Sequence, residues 1–589
     1  MKKLLVYFKD YKKECVLGPL FKLLEASFEL IVPLVMAAMI DIGVAGRNTA
    51  YIAGMSLLLV LLAVIGMVCS ITAQYFAAKA AVGGATKLRR ALFWHVEGLA
   101  FQELDTVGTA TLITRLTSDV NQVQNGVNLV LRLFLRSPFI VIGAMVMAFT
   151  IDVPSALVFA VAIPLLSAVV FGVMFICIPI YKRVQNALDG VLGITRENLT
   201  GSRVIRAFHK QEEQQERFCG KNEALTKLQL FAGRISALMN PMTYLIINGA
   251  LIALLWTGAL GADSGRITQG QVVALVNYMS QILVELVKLA SLIVSINKAA
   301  ACANRVAAVF EVQPSMSKEC VGACERKPSL TETEEQSSDD CAVEFSHVGL
   351  TYQGAGEEAL TEIDFTAKRG ETIGIIGGTG SGKSSVVHLI PRFYEATRGM
   401  VKVDGRDVRA YDLFELRSKI GVVPQKAVLF AGTIRENLKW GNPNASDEEL
   451  LAALETAQAR EVIEQKEGGL DYMLEQGGRN LSGGQRQRLT IARALVKKPE
   501  ILILDDSASA LDFATDARLR AAIAGLGSGM TVFIVSQRAA SIREADKIIV
   551  LEDGKIVGSG THDKLLLDCE VYQEIYESQF QKATGGGSV

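Results

Sequence analysis

At 589 residues the chain exceeds one ordinary domain. Half of its residues are apolar, and 60 Lys and Arg against 61 Asp and Glu leave a net charge of −1, so no global charge excess points to nucleic acid. The two ends differ sharply: residues 16–300 hold repeated apolar runs, whereas residues 341–580 read as soluble α/β sequence.

The first fourteen residues carry Lys2, Lys3, Lys9, Lys12 and Lys13 and show no short apolar region with a small-residue cleavage site, so no removable signal peptide is expected. A helix needs about 20 mainly apolar residues to cross the hydrocarbon core, and six segments qualify: about 16–40, 53–80, 128–151, 154–180, 241–262 and 270–298. Several carry charge, among them Glu25, Glu29, Arg132, Arg136, Glu285 and Lys288. Arg132 and Arg136, four apart, share a helix face. Such charges face a bundle interior or a water-filled cavity, or else sit on helix projecting beyond the bilayer. Cations concentrate in the N-terminal stretch and in two long connections, at Arg89, Arg90, Arg183, Arg196, Arg203 and Arg206, while the three short connections hold Arg47 and Arg266. Positive residues stay inside, which predicts a multi-pass protein of the cell membrane with both termini cytoplasmic.

The long connections, residues 81–127 and 181–240, mix charge with apolar residues at helical spacing, as in Leu112-Ile113-Thr114-Arg115-Leu116, and read as helices continuing past the membrane surface. Each then needs a turn, expected near Asp105–Thr111 and Thr200–Ala207; solvated helical hairpins are the plainer alternative. Residues 311–340, with Pro314, Pro328 and the run Thr331-Glu332-Thr333-Glu334-Glu335, have linker composition. The expected division is therefore a membrane domain at 1–310, a linker at 311–340, an α/β domain at 341–580 and a flexible tail at 581–589. The nine cysteines include the scattered Cys15, Cys69, Cys177 and Cys219, with Cys320, Cys324 and Cys341 closer together near His347. That spacing lacks a fourth tightly paired ligand, so unpaired reduced thiols are expected and no resident metal cluster.

In the second half, Gly377-Gly378-Thr379-Gly380-Ser381-Gly382-Lys383-Ser384 fits G-x-x-x-x-G-K-[ST]. It follows the strand-like Thr372-Ile373-Gly374-Ile375-Ile376 and precedes the helical Val386-Val387-His388-Leu389-Ile390, the context such a phosphate loop requires. Glycines let backbone N–H groups wrap phosphate oxygens, and the helix N-terminus adds a favourable dipole. Lys383 should reach the β- and γ-phosphates of ATP, and Ser384 should ligate Mg²⁺. Further on, Ile501-Leu502-Ile503-Leu504-Asp505 suggests a buried parallel strand delivering a carboxylate to the sheet edge, where Asp505 would hold Mg²⁺ through water; standing alone, it would read as a core strand ending in a solvated acid. Between them, Leu481-Ser482-Gly483-Gly484-Gln485 ahead of a helix makes a second anion-binding N-terminus, or an ordinary Gly-rich cap. One nucleotide has no use for two cradles within one chain, whereas a head-to-tail dimer would place each cradle over the other subunit's nucleotide.

Taken in order, these elements resemble the ABC transporter superfamily, and its exporter-type half-transporters in particular, across nearly the whole chain. The fold implied is an all-α membrane domain of six helices joined to an α/β P-loop nucleotide-binding domain. Residues 377–385, ending at Ser385, match the Walker A loop, and Tyr352 resembles the aromatic residue that stacks on adenine. Gln425, in Val423-Pro424-Gln425, matches the Q-loop, which with Ser384 and Asp505 would serve Mg²⁺. Residues 481–485 match the signature motif, 501–505 Walker B, and Ser509-Ala510-Leu511-Asp512 the D-loop. The resemblance further implies that the turns near 105–111 and 200–207 are coupling helices docking on the ATPase domains.

The chain departs from this pattern at two positions. Where the family usually has Glu after Walker B to orient or deprotonate the attacking water, it has Asp506, whose carboxylate is retracted by roughly 1.5 Å. Where the family usually has the switch His, Val535-Ser536-Gln537-Arg538 places Gln537, which can hydrogen-bond but cannot carry an imidazolium charge. Both changes fall on one hydrolysis site while the signature stays intact, as in the degenerate-site subunit of bacterial heterodimeric multidrug-type exporters. The resemblance thus implies an ATPase of translocase type, working with a second, different half-transporter that retains Glu and His. Its cargo is expected to be amphipathic small molecules, drugs or lipids; a dedicated exporter of a peptide or secreted product and an ATP-gated channel or regulatory membrane protein are the alternatives.

Overall fold

The computed structural model describes residues 2–316, 340–527 and 529–580. Most of the expected linker, with Cys320 and Cys324, and the expected tail at 581–589 lie outside the described residues. The chain divides into two compact units, one of Met1–Gly98 with Gly108–Gln313, the other of Leu99–Val107 with Pro314–Val589.

The first unit is all-α and holds six helices long and apolar enough to cross a membrane: Leu4–Val44, Thr49–Glu97, Thr109–Ile151, Val153–Thr200, Gln211–Asp263 and Gln269–Glu311. Each of the six apolar segments falls inside one of them. The helices are far longer than the apolar segments: Thr49–Glu97 is one unbroken helix of 49 residues, about 74 Å at 1.5 Å per residue, against a hydrocarbon core of about 30 Å. Its turns beyond the core are therefore solvated helix, as the mixed composition of 81–127 suggests.

Lipid tails offer helices no hydrophobic drive to associate, so close backbone approach through small residues matters. In the second span Ala73, Ala77, Ala81 and Ala85 form a four-residue stripe with no exposed surface, while Leu57, Leu61 and Ile71 on other faces stay open to lipid. The N-terminal stretch Lys2–Tyr11 rests on that span: a Cβ on Gly84 would lie 2.1 Å from the Phe8 ring. Around Tyr278, whose hydroxyl donates to the Leu30 carbonyl at 2.5 Å, pack Ile140, Ala144, Ala148, Phe159 and Leu254. Short helices stand at both expected turns. The second, Ser202–Ala207, lies within the expected range. The first spans Phe101–Val107, four residues before the range read from sequence, because Gly108 takes a left-handed φ of +80° and restarts the helix at Thr109.

The second unit is α/β. Strands β1 (Cys341–Leu350), β2 (Leu360–Lys368), β3 (Thr372–Gly377), β4 (Arg398–Val403), β5 (Arg406–Asp407) and β6 (Ile420–Val423) come first. They are followed by β7 (Gly432–Thr433), β8 (Met473–Leu474), β9 (Ile501–Asp505), β10 (Thr531–Val535), β11 (Lys547–Glu552) and β12 (Lys555–Gly560). A four-stranded sheet runs β2-β1-β4-β5, and a six-stranded sheet runs β12-β11-β3-β10-β9-β6. Within the latter, β11, β3, β10, β9 and β6 are mutually parallel.

Both faces of that sheet are buried, which accounts for the unbroken apolar runs in its strands. Leu502, Leu504, Val532, Ile534, Ile548 and Val550 join one core. Their neighbours Ile501, Ile503, Phe533, Val535, Ile549 and Leu551 join the other. Alternation along each strand splits every run between the two cores.

Candidate functional site

Parallel strands end at one edge, and in open α/β sheets that edge gathers ligands. Across it the order β3, β10, β9, β6 brings together the glycine loop after Gly377, the segment Ser536–Arg538, the pair Asp505–Asp506 and the loop with Gln425. These pieces are up to 160 residues apart in sequence, and only this topology makes them neighbours.

The glycine loop is shaped by its backbone. Gly382 has φ +93°, and a Cβ there would meet the Leu360 side chain at 2.6 Å; a Cβ on Gly377 would lie 2.1 Å from the Leu551 carbonyl oxygen. Gly378, Thr379 and Gly380 are exposed, and Ser381 is buried. Lys383 opens the helix Lys383–Leu389. Its ammonium donates to the carbonyls of Gly377, at 3.0 Å, and Gly378. Burial pulls its pKa below the ordinary lysine value, against the pull of Asp506 and Asp505. A buried ammonium held by two carbonyls and, at 3.4 Å, the Ser381 hydroxyl, with no carboxylate among these partners, is well suited to receive phosphate charge.

Next to it, the Ser384 hydroxyl donates to Asp505 Oδ1 at 2.8 Å, and His388 Nε2 stands 3.5 Å from Oδ2. Asp505 is only 3% exposed. A hydroxyl and a buried carboxylate in contact are the hard oxygen donors that Mg²⁺ prefers, so these two residues fit the ion. Gln425, the third expected ligand, is placed differently: its amide donates to Asp506 Oδ2 at 3.3 Å.

Asp506 follows β9 in a left-handed conformation, φ +44°, a region that Asp tolerates better than most residues. Its N–H donates to the Val535 carbonyl at 2.9 Å. Burial raises its carboxyl pKa above the ordinary range, opposed by the Gln425 hydrogen bond. Gln537 is exposed, and its backbone is clamped from the C-terminal helix Glu570–Phe580. There Gln579 Nε2 donates to the Gln537 carbonyl at 2.8 Å while Gln579 Oε1 accepts from the Ala539 N–H at 2.9 Å. Tyr352 reaches the loop from the other side, its hydroxyl 2.8 Å from Ser385 Oγ.

Tyr352 also meets Tyr394 edge-on at 5.1 Å. Tyr394 in turn donates to Asp105 Oδ2 at 2.6 Å, and the adjacent Phe393 lies 4.6 Å from Phe101. The short helix Phe101–Val107 is thereby joined to the nucleotide loop through two tyrosines. Tyr394, His388 and Gln579 were not among the residues singled out from sequence. Tyr394 adjoins Phe393 just past the loop helix, the one signal that could have marked it; Gln579 carries none.

The segment 481–485 makes no hydrogen bond to 377–385 among the described residues. Ser482 caps the helix Gly483–Val496: its Oγ accepts from the Gln485 N–H at 3.2 Å, and Gln485 Oε1 accepts from the Ser482 N–H at 3.0 Å. Such a box satisfies two end donors and leaves the rest of the first turn for an anion. Leu481 is buried, Ser482 and Gly483 are exposed, and a Cβ on Gly484 would lie 3.2 Å from the Ala510 carbonyl. That contact ties the cap to Ser509–Asp512. There Ser509 Oγ donates to the Asp506 carbonyl at 2.9 Å, Leu511 is buried, and Asp512 caps the next helix through the Thr515 N–H at 3.1 Å.

Residues 15–286 match the family of the ABC transporter transmembrane region, and residues 360–509 match the ABC transporter family. An ABC transporter ATP-binding protein of Mycobacterium tuberculosis is 34% identical over 584 residues, covering 99% of this chain and 98% of that one. An ATP-dependent lipid A-core flippase of Hahella chejuensis is 31% identical over 517 residues, 86% of this chain and 85% of its own. Among solved structures, a bacterial Atm1-family ABC exporter with ATP bound superposes with a TM-score of 0.76 at 21% identity, covering 98% of this chain and 99% of that one. At that identity the likeness concerns the fold.

Proposed function

Because this chain belongs to the ABC transporter family, with a membrane domain of exporter type and an ATP-binding, ATP-hydrolysing domain in one polypeptide, we propose that it is one half of a heterodimeric exporter whose own Walker site is degenerate. The observation that carries the proposal is the pair Asp506 and Gln537 at one sheet edge, set against the fully formed cap at Leu481–Gln485. In this reading Lys383, Ser384 and Asp505 hold ATP and Mg²⁺ at a slow site, with Tyr352 stacking on adenine. The ion neutralises phosphate charge. Asp506 has the hydrogen bond and raised proton affinity of a base, but its short arm leaves the attacking water poorly placed. Leu481–Gln485 then closes over the nucleotide of a different half-transporter that keeps Glu and His, and most hydrolysis occurs there.

The drive for transport is the higher affinity of the closed state for ATP. The short helices Phe101–Val107 and Ser202–Ala207 act as coupling helices, the first through Asp105 and Tyr394. Both termini are cytoplasmic, the bilayer is that of the cell, and the cargo is an amphipathic small molecule, drug or lipid. The test is the ATPase activity of this chain alone and with its partner. Slow hydrolysis alone and fast hydrolysis in the pair is expected; vigorous turnover and transport by the lone chain would remove the heterodimer.

A further inference from the structure

A charged cluster sits inside the apolar membrane unit. The Arg136 guanidinium donates to Glu285 Oε1 at 2.8 Å and to both carboxylate oxygens of Glu29 at 2.9 and 2.7 Å. Glu285 also accepts from the Ser137 hydroxyl at 2.7 Å and from Lys288 Nζ at 3.0 Å. Glu29, Arg136 and Glu285 come from the first, third and sixth spans, each about sixteen residues from the short-turn end of its helix, on the order of 24 Å along the axis. Measured from those ends they share one level, past the middle of a hydrocarbon core of about 30 Å and still within it.

Charges at such a depth are expensive and mark functional sites more often than scaffolding. A purely structural cluster would satisfy every member, and this one does not. Arg136 is 8% exposed, yet its Nε is buried without a hydrogen-bond partner among the described residues, as is Gln281 Oε1. Both line a cavity of about 580 Å³ together with Glu29, Pro33, Asn277 and Lys288, a volume typical of small-molecule sites. The backbone is irregular around it as well. Val130–Phe134 is π-helical and breaks at Leu135, just before Arg136. Pro33 has no N–H for the Glu29 carbonyl. Such breaks in a membrane helix occur where it lines a cavity.

The two charges that reach the cavity surface have opposite sign: the Glu29 side chain is 42% exposed and that of Lys288 46%. With Arg136 and Glu285 the cluster is neutral, so an ion of either sign would enter unbalanced. We propose that this cavity binds the zwitterionic head of a single amphiphile, its amine toward Glu29 and its phosphate or carboxylate toward Lys288. The exporter reading explains why a membrane unit would keep such a site, but the test needs neither ATP nor transport, so the two fail separately.

The full chain in dodecyl maltoside is titrated, by native mass spectrometry, with four probes sharing a twelve-carbon tail: dodecylphosphoethanolamine, Nε-dodecanoyl-lysine, dodecyl phosphate and dodecylamine. Both zwitterions are expected to bind about tenfold tighter than either single-charge probe, and the tighter of the two identifies phosphate or carboxylate as the anionic partner. Glu29→Gln should shift preference toward dodecyl phosphate and Lys288→Gln toward dodecylamine. Lys288→Gln, at a half-exposed side chain and keeping an amide donor for Glu285, is the second variant if Glu29→Gln destabilises the bundle. Equal affinity for all four probes, or a ranking unmoved by Lys288→Gln, overturns the proposal.

Discussion

The glycine loop with its two following acids and the cap at Leu481–Gln485 occupy the same unit, yet they match the family pattern to different degrees. On the loop side the phosphate cradle follows the pattern, while Asp506 and Gln537 stand where the family resemblance leads one to expect Glu and His. On the cap side every hydrogen bond of a well-formed helix start is present, and the glycines keep the surface above it open. A chain that had simply lost function would have drifted on both sides. One that lends its cap to another subunit keeps the cap and relaxes the loop.

The sharpest way to break that comparison is to alter one side at a time in the assembled pair. A Cβ on Gly483 meets nothing within 4 Å, so Gly483→Asp leaves the fold alone while setting a carboxylate where an anion should lie. It is expected to lower steady-state ATP hydrolysis by about 10²–10³-fold, the scale of losing a fixed donor at a reacting centre. Lys383→Ala, on the loop side, should lower it by less than about threefold, since the proposal gives Lys383 to the slow site. Equal losses from the two changes would erase the asymmetry.

The converse experiment repairs the loop. With the partner's site silenced, Asp506→Glu combined with Gln537→His should raise residual turnover on the order of tenfold, short of the full 10² that a misplaced base can cost. The shortfall has a local cause. Position 506 sits at φ +44°, and Glu is less at home there than Asp, at a cost of about 1 kcal/mol.

A smaller effect tests the coupling proposed for the short helix Phe101–Val107. Tyr394→Phe removes the hydroxyl that meets Asp105 and keeps the ring contacts with Phe101, Tyr352 and His388. ATP binding should be unchanged, while cargo-stimulated hydrolysis should fall about fivefold, the equivalent of one lost hydrogen bond of roughly 1 kcal/mol.

What could be read in advance followed the length scale of the signal. Six runs of twenty or so apolar residues can hardly be anything but spans, and the run Ile501–Leu504 ending in an acid demanded a strand buried on both faces, which the two cores supply. The glycine loop was legible because its glycines and lysine fall at the pattern's spacing between a strand-like and a helical run. The rest depended on partners remote in sequence. Arg136 could be flagged as a charge among apolar residues, but nothing local says that it meets Glu29 and Glu285, 107 and 149 residues away. Gln425 donates to Asp506, and no hydrogen bond joins it to Asp505 among the described residues, a pairing that no pattern encodes. The short helix Phe101–Val107 was expected four residues late because a single left-handed glycine, Gly108, sets its end.

The smallest effect separates two acids six residues apart, one on each side of the comparison. Burial raises the Asp506 carboxyl pKa, so between the ordinary aspartate value of 3.8 and that raised value the folded chain binds more protons than the unfolded one. Asp506 therefore costs stability once pH climbs through that window, and its removal should help. Asp512 is the opposite case: hydrogen bonds from Thr515 lower its pKa, so its contribution is present above the ordinary value and is lost as pH falls through the depressed one. In thermal unfolding without nucleotide, Asp506→Asn should raise the midpoint of the ATP-binding unit by about 1–2 °C near neutral pH, a gain that shrinks on acidification. Asp512→Ala should lower it by a similar amount, about 1–2 °C, through the lost helix cap. Shifts of the same sign would mean that Asp506 is held as an ordinary structural carboxylate, and that its side of the site is no more relaxed than the cap.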